Sequence, residues 1–348
     1  MNELNRDKIT GGGLMKLARI ATIGAALMFM LLSAPAARAQ LDGSLPPGTQ
    51  EVLKEIQRTM YPPWLHSATL EPDPPRAGEP TRVSAEIYSD ANKINDKTIE
   101  AYLFYSINEA RTWEVIEMDD KGAARYWEAE LPPFEKGTEV WYGFSAGDAT
   151  GNVFMETPCY VTSWPPEDDT CMFDIALDEP PVDDPRQLIP NDFDIRHMKA
   201  GVDEDNLYIE MTVEGSIEPG SVSPAYMHLY GFGVANMDKG NPTDIVSQGF
   251  LGLYVPLAHV ANMQPCMVVS QPHNEILFTS DFIQCHAQGE HLWFRIDNRQ
   301  IGETRPKGHL KIIAANGVVT SIAPFGGMYY DYTHVTSLSL KGRSFVVE

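Results

Sequence analysis

Alternation of apolar and polar residues with a period of two, repeated in short segments, constrains this chain more than any other feature. Val83, Ala85 and Ile87 alternate with polar neighbours, as do Ala101, Leu103 and Tyr105, and then Val140, Tyr142, Phe144 and Ala146. That period places the apolar set on one face of a strand. Gly, Pro and Asp/Asn turns separate the segments, and 27 Gly with 26 Pro leave little uninterrupted length for long helices or an all-parallel α/β sheet. The pattern predicts an all-β chain built from antiparallel sandwiches. At 348 residues with 43% hydrophobic content, two domains with cores of their own are expected.

Residues 1–39 read as an export signal. Lys16 and Arg19 precede an apolar run from Ile20 to Leu32, and Ala37-Arg38-Ala39 offers the small residues a signal peptidase reads. The run is shorter than the roughly 20 residues a membrane span needs, so no integral membrane segment is expected after cleavage. The mature chain is expected to start at Gln40, with Met15 as the initiator. No Cys follows the cleavage site to take a lipid.

All four cysteines fall in the mature part, an even number for an oxidising compartment, periplasmic or extracellular. Their spacing suggests Cys159 to Cys171 and Cys266 to Cys285, with three pairings formally possible. Acidic residues number 48 against 26 basic, a net charge of -22. Removing the signal, with five basic and two acidic residues, leaves 21 against 46, near -25. This surplus repels nucleic acid and anionic lipid, and leaves calcium, basic small molecules and neutral ligands open.

Residues 40–64 form a lead-in with one short helix, since Val52, Leu53, Ile56 and Met60 share helical spacing and Pro62-Pro63 ends the run. Residues 65–162 carry the first set of strands. Tyr102-Leu103-Phe104-Tyr105-Ser106 with Thr112-Trp113, Tyr126 to Pro132, Gly137 to Tyr142, and Ala146 to Asn152 give a stretch that resembles the immunoglobulin-like or fibronectin-type modules of exported bacterial proteins. The resemblance implies a spacing or presenting module, with Trp113 and Trp141 in the core or between sheets. Residues 163–189 hold eight acids and five prolines before Arg186 and read as an extended, self-repelling connector; calcium capture is the alternative, although the order lacks the EF-hand pattern.

Strands recur over 190–348: Leu207 to Gly215, Phe250 to Val255, Glu275 to Thr279, His291 to Ile296, His309 to Ala314, and one near Phe345. Asp192-Phe193-Asp194-Ile195 and Asp203 to Ile209, followed by a Gly-bounded strand, resemble the family-9-like carbohydrate-binding and DOMON-type sandwiches of secreted proteins. That resemblance implies a ligand-binding sandwich, with sugar or haem as the ligand.

Sugar recognition needs aromatic faces beside hydrogen-bonding groups. The segment Pro324-Phe325-Gly326-Gly327-Met328-Tyr329-Tyr330-Asp331-Tyr332 supplies them, with Tyr329, Tyr330, Tyr332 and Asp331 as candidate ligand-binding residues on an exposed loop. Tyr226 and Tyr230 are a second aromatic pair. Haem would need Met and His ligands, from His197, Met198, Met227, His228, His259 or Met263, and the absence of Cys-x-x-Cys-His excludes covalent c-type haem. Asn236, Asp238, Asn241 and Asp244 around Gly240 could hold calcium. No G-x-S-x-G, H-E-x-x-H or phosphate-loop motif is present. The expectation is therefore an exported, non-catalytic protein that requires no cofactor and recognises a glycan or an envelope partner. A b-type haem electron-transfer protein and a purely structural envelope component are the alternatives.

Overall fold

A computed structural model describes residues 62–88, 98–122, 125–149, 151–177, 195–217, 226–236, 249–254, 265–270, 275–277, 283–297, 309–320, 328–332, 336–339 and 343–348. The expected signal segment and lead-in helix lie outside these residues. Every regular element described is a strand, and the protein is all-β.

The first sandwich uses β1 (Trp64–Glu71), β2 (Thr81–Tyr88), β3 (Thr98–Ser106), β4 (Glu114–Glu117), β5 (Asp119–Gly122), β6 (Tyr126–Leu131), β7 (Glu139–Asp148) and β8 (Val153–Glu156). One sheet has the order β1-β2-β6-β5 and the facing one runs β8-β7-β3-β4. In immunoglobulin lettering these are A-B-E-D against G-F-C-C′, so the topology itself makes this module immunoglobulin-like. Val83, Ala85 and Ile87 from one sheet meet Leu103, Val140 and Phe144 from the other in a single core, which is where the period-two pattern aims them.

The remaining strands are β9 (Phe173–Leu177), β10 (Ile195–Val202), β11 (Asn206–Val213), β12 (Tyr226–Asn236), β13 (Gly249–Tyr254), β14 (Cys266–Ser270), β15 (Glu275–Leu277), β16 (Ile283–Gln288), β17 (His291–Asp297), β18 (His309–Thr320), β19 (Met328–Tyr332), β20 (Thr336–Ser339) and β21 (Arg343–Val346). A five-stranded sheet, β16-β17-β11-β10-β9, faces a sheet ordered β15-β14-β13-β12-β18, whose last strand pairs with both β19 and β20. Met198, Ile209, Met211 and Phe294 from the first sheet pack against Tyr230, Phe232 and Leu338 from the second. The Cys266–Cys285 bridge joins β14 to β16 across this core, and Thr336 Oγ1 donates to the Ile175 carbonyl.

Two connections differ from the sequence reading. The segment expected as an extended connector contains β9, which pairs with β10 as an edge of the five-stranded sheet. Ahead of it, Asp169 ties the loop into a compact knot by accepting from the Thr162 and Cys171 backbone N–H groups and from the Thr162 hydroxyl. Its carboxylate is consumed by local hydrogen bonds, so acidity here does not extend the chain. Residues 178–194 lie outside the described set. The strand near Phe345, expected in the second sandwich, is β21, and it pairs with β7 of the first. β8 and β21 share the same edge of β7, so β9 to β20 are threaded between two halves of one strand position. Parallel pairing of β20 with β8 then continues one sheet through both sandwiches.

A third apolar cluster sits where the sandwiches meet. Phe104, Val161, Met172, Phe173 and Tyr208 are buried there with the Cys159–Cys171 bridge, and Trp113, Trp141 and Trp164 pack against them. The two tryptophans expected inside the first module therefore serve the junction, where Trp113 Nε1 donates to the Thr170 carbonyl at 3.0 Å.

Candidate functional site

The outer face of the five-stranded sheet carries the most unusual chemistry among the described residues. Alternation on β10, β11 and β17 sends Met198, Ala200, Ile209, Met211, Leu292 and Phe294 into the core, and the residues between them outward. At one level of the ladder, His286, Trp293, Glu210, Lys199 and Asp174 are successive register partners across all five strands. At strand spacing this row is about 19 Å long.

Trp293 is the second of the five, on β17 between His286 and Glu210. The indole stacks on His291 with ring centroids 5.3 Å apart and an interplanar angle of 11°, and His286 lies 5.7 Å from it. Trp293 is only 3% exposed, and its Nε1–H has no hydrogen-bond partner. Beside it the buried Glu210 carboxylate accepts from His291 Nδ1 at 2.9 Å, with Thr212 Oγ1 3.2 Å from the same nitrogen. Glu290 lies 3.4 Å from His291 Nε2, and His197 Nε2 meets Asp174 at 3.0 Å.

One long side of the row is walled. Gly201 is on the outer face, and a Cβ built there would come within 2.5 Å of Val161 and 2.6 Å of the Cys171 carbonyl, so the disulfide-clipped loop rests directly on the sheet. Trp164 from that loop reaches Tyr208, at 6.1 Å between rings, and lies under the Arg295 guanidinium at 5.4 Å. Burial and the hydrogen bond to Asp203 both raise the Tyr208 hydroxyl pKa. Burial works to raise Asp203, but hydrogen bonds from Tyr208, Asn206 and Asp205 outweigh it and hold the carboxyl below its ordinary value. The result is a ledge, with a floor of polar and aromatic side chains and a wall made by the junction loop.

The first sandwich has an aromatic group on its own outer face, with Trp64 stacked on Tyr88 at 5.0 Å and Arg125 over Tyr88 at 3.9 Å. Its polar atoms are matched internally, since Arg125 and the Tyr88 hydroxyl both donate to Glu86. Neither of these two donors is left orphaned.

Tyr329, Tyr330, Asp331 and Tyr332 lie on β19, a strand hydrogen-bonded to β18, while Gly326 and Gly327 fall outside the described residues. This segment belongs to the sheet opposite the ledge. Tyr230 is fully buried in the second core, 6.1 Å from Tyr254, which removes it from the surface pair proposed with Tyr226. Both expected disulfides form. Asn236 ends β12, and Asp238, Asn241 and Asp244 lie outside the described residues. No group of three or more His, Cys, Asp or Glu is placed to hold a metal ion among the described residues. Of the haem candidates, His197 faces outward to Asp174 while Met198 is in the core, so these neighbours cannot ligate from one face. Met227 and His228 are on β12, and His259 and Met263 lie outside the described residues. No helix among the described residues is long and apolar enough to cross a membrane.

No protein-family model matches the chain, and no curated protein sequence matches it. Among solved structures, an uncharacterized protein of Listeria monocytogenes EGD-e, in complex with α- and β-D-glucose, magnesium and calcium, is similar at 14% identity and a TM-score of 0.21; the match covers 73% of this chain and 21% of that one. A cycloalternan-degrading enzyme of Trueperella pyogenes, in complex with a covalent intermediate, matches at 7% identity and 0.19, over 80% of this chain and 34% of the enzyme. An I-band fragment of titin matches at 10% and 0.16, over 80% and 66%. The chain thus spans about a fifth and a third of the first two proteins. Scores this low carry no argument about function; the fold assignment above stands on strand order and register.

Proposed function

We propose that this is an exported, non-catalytic binding protein whose second sandwich recognises a glycan, or a glycan-bearing envelope partner, on the ledge of the five-stranded sheet. One observation carries the reading. Trp293 holds a buried, unpartnered N–H on an outward face, and leaving such a donor unmet costs about 1–3 kcal/mol. A sugar oxygen would satisfy it, while hydroxyls of the same ring could donate to the neighbouring carboxylates. The first sandwich holds the ledge in place through the junction loop. The export signal expected from the sequence and the two disulfides support a destination outside the cytoplasm.

A glycan array probed with the wild type, Trp293→Phe and Tyr329→Ala/Tyr330→Ala tests this. Phenylalanine keeps an aromatic ring and removes the donor together with the second ring of the indole. Loss of binding in Trp293→Phe alone supports the ledge. Loss in the double tyrosine variant alone moves the site to β19. A wild type that binds no glycan leaves the protein as a structural envelope component.

A further inference from the structure

Resting on that reading, we infer that the ledge takes an acidic oligosaccharide, with Lys199 and Arg295 meeting its anionic groups and Trp293 Nε1–H donating to an oxygen between them. In a chain with 48 acids and 26 bases, a cation without a carboxylate is the exception. Arg82, Arg125, Arg196 and Arg343 each hold one within ion-pair distance. Lys199 and Arg295 do not, among the described residues, although both belong to the outer face.

Each carboxylate beside Lys199 in the row holds a histidine. Asp174 pairs with His197, and Glu210 with His291. Lysine, arginine and the indole N–H are all donors that cannot accept, so a group that meets all three must bring acceptors, and two cations outside ion-pair distance of any described carboxylate favour charged ones. Spacing sets the size of the ligand. Lys199 is two strands from Trp293, about 10 Å, and Arg295 is two residues along β17, about 7 Å. No single inorganic anion spans that distance, whereas consecutive sugar units do. The protein's overall negative charge opposes approach only weakly, since at physiological ionic strength charges beyond about 8 Å are screened.

Isothermal titration of the full mature chain tests the inference, using as probes an oligogalacturonate hexamer for carboxylates, a heparin-derived hexasaccharide for sulfates, and neutral maltohexaose. The expected result is at least tenfold tighter binding of one acidic probe than of the neutral one. Lys199→Met and Arg295→Met, which keep the aliphatic stems, should each weaken that binding at least tenfold with the melting temperature unchanged. Neutral binding that is equal or tighter, and sensitive to Trp293→Phe, overturns the acidic preference and leaves the ledge standing. Acidic binding unaffected by both substitutions overturns the assignment of the two cations. If none of the three probes binds, and the array shows no glycan bound either, the ledge reading falls and this inference with it.

Discussion

Arg343 and Glu156 are 187 residues apart in sequence, yet the guanidinium Nε lies 3.2 Å from both carboxylate oxygens. Glu156 ends β8 and is fully buried, while Arg343 begins β21. The pair therefore joins the two half-strands that share the edge of β7, and closes the first sandwich around the insertion of everything between them. Backbone bonds continue the closure, from Gly137 N to the Val347 carbonyl and from Glu348 N to the Pro75 carbonyl.

Removing Arg343 leaves the fully buried Glu156 charge without its counterpart, and removing Glu156 leaves a largely buried guanidinium alone. Glu156→Ala or Arg343→Ala should cost about 3 kcal/mol in urea denaturation, whereas Glu156→Met/Arg343→Met together should recover most of it, because an apolar pair of similar volume is tolerated where a lone buried charge is not. Single variants within about 0.5 kcal/mol of wild type would show that the pair acts as a surface contact.

The junction loop depends on its bridge. Cys159→Ala/Cys171→Ala removes the closure of a short loop, worth about 3 kcal/mol in the chain-entropy view. It also frees the wall that Trp164 forms. Thermal melts should show the loss, and any glycan affinity should fall with it. Unchanged melting would show that the buried aromatic contacts of the junction hold the loop alone.

Gly201→Ala isolates the wall from the bridge. The added Cβ would meet Val161 Cγ2 at 2.5 Å, the Cys171 carbonyl at 2.6 Å and Met172 Sδ at 2.8 Å, and the carbonyl is backbone that cannot swing away. Overpacking of this kind costs about 1–3 kcal/mol. Faster amide hydrogen exchange is expected at Val161 and Met172, whose N–H groups bond the Val202 and Asp169 carbonyls. Wild-type exchange there would mean the loop does not rest on the sheet.

What the sequence discloses follows from what is local. The alternation of Val140, Tyr142, Phe144 and Ala146 is a property of one strand, and all four are buried. The cysteine pairs close short loops, 12 and 19 residues apart, and both form. The partner of Phe345 is Val140 on β7, more than two hundred residues away, and nothing in its neighbours encodes that. The ledge is illegible for the same reason, because Lys199, Glu210, His286 and Trp293 come from four strands that only register brings into one row. One local signal was available. The outward positions of β17 and β11 carry His291, Trp293, Tyr208 and Glu210, where a plain solvent face would carry small polar residues.

Alkaline pH should weaken the fold through buried tyrosines. Burial pushes Tyr254 up to about 12, and burial together with the hydrogen bond to Glu114 does the same for Tyr105. Groups whose folded pKa is raised contribute stability that is complete below the unfolded value of 10 and disappears as pH climbs toward 12. Unfolding free energy should therefore drop across that window, and Tyr254→Phe should flatten part of the drop. A pH-independent stability between 10 and 12 would contradict these burials.

Asp203 gives the opposite sign. Its carboxylate accepts from the backbone N–H groups of Asp205 and Asn206 at 2.7 and 2.6 Å, and from the Asn206 amide and the Tyr208 hydroxyl, so the turn between β10 and β11 is built on its charge. With the folded pKa held below the ordinary 3.8, its contribution is complete above that value and fades as pH falls below it. Asp203→Asn keeps the shape and loses the charge, and should cost about 1–2 kcal/mol at neutral pH, the scale of hydrogen bonds to a charged acceptor. The gap between wild type and variant should narrow below the ordinary aspartate pKa, as the wild-type carboxyl takes its proton. A gap that stays constant from pH 7 to pH 2 would mean that hydrogen bonding to the amide replaces the carboxylate in full, and that the turn owes nothing to ionisation.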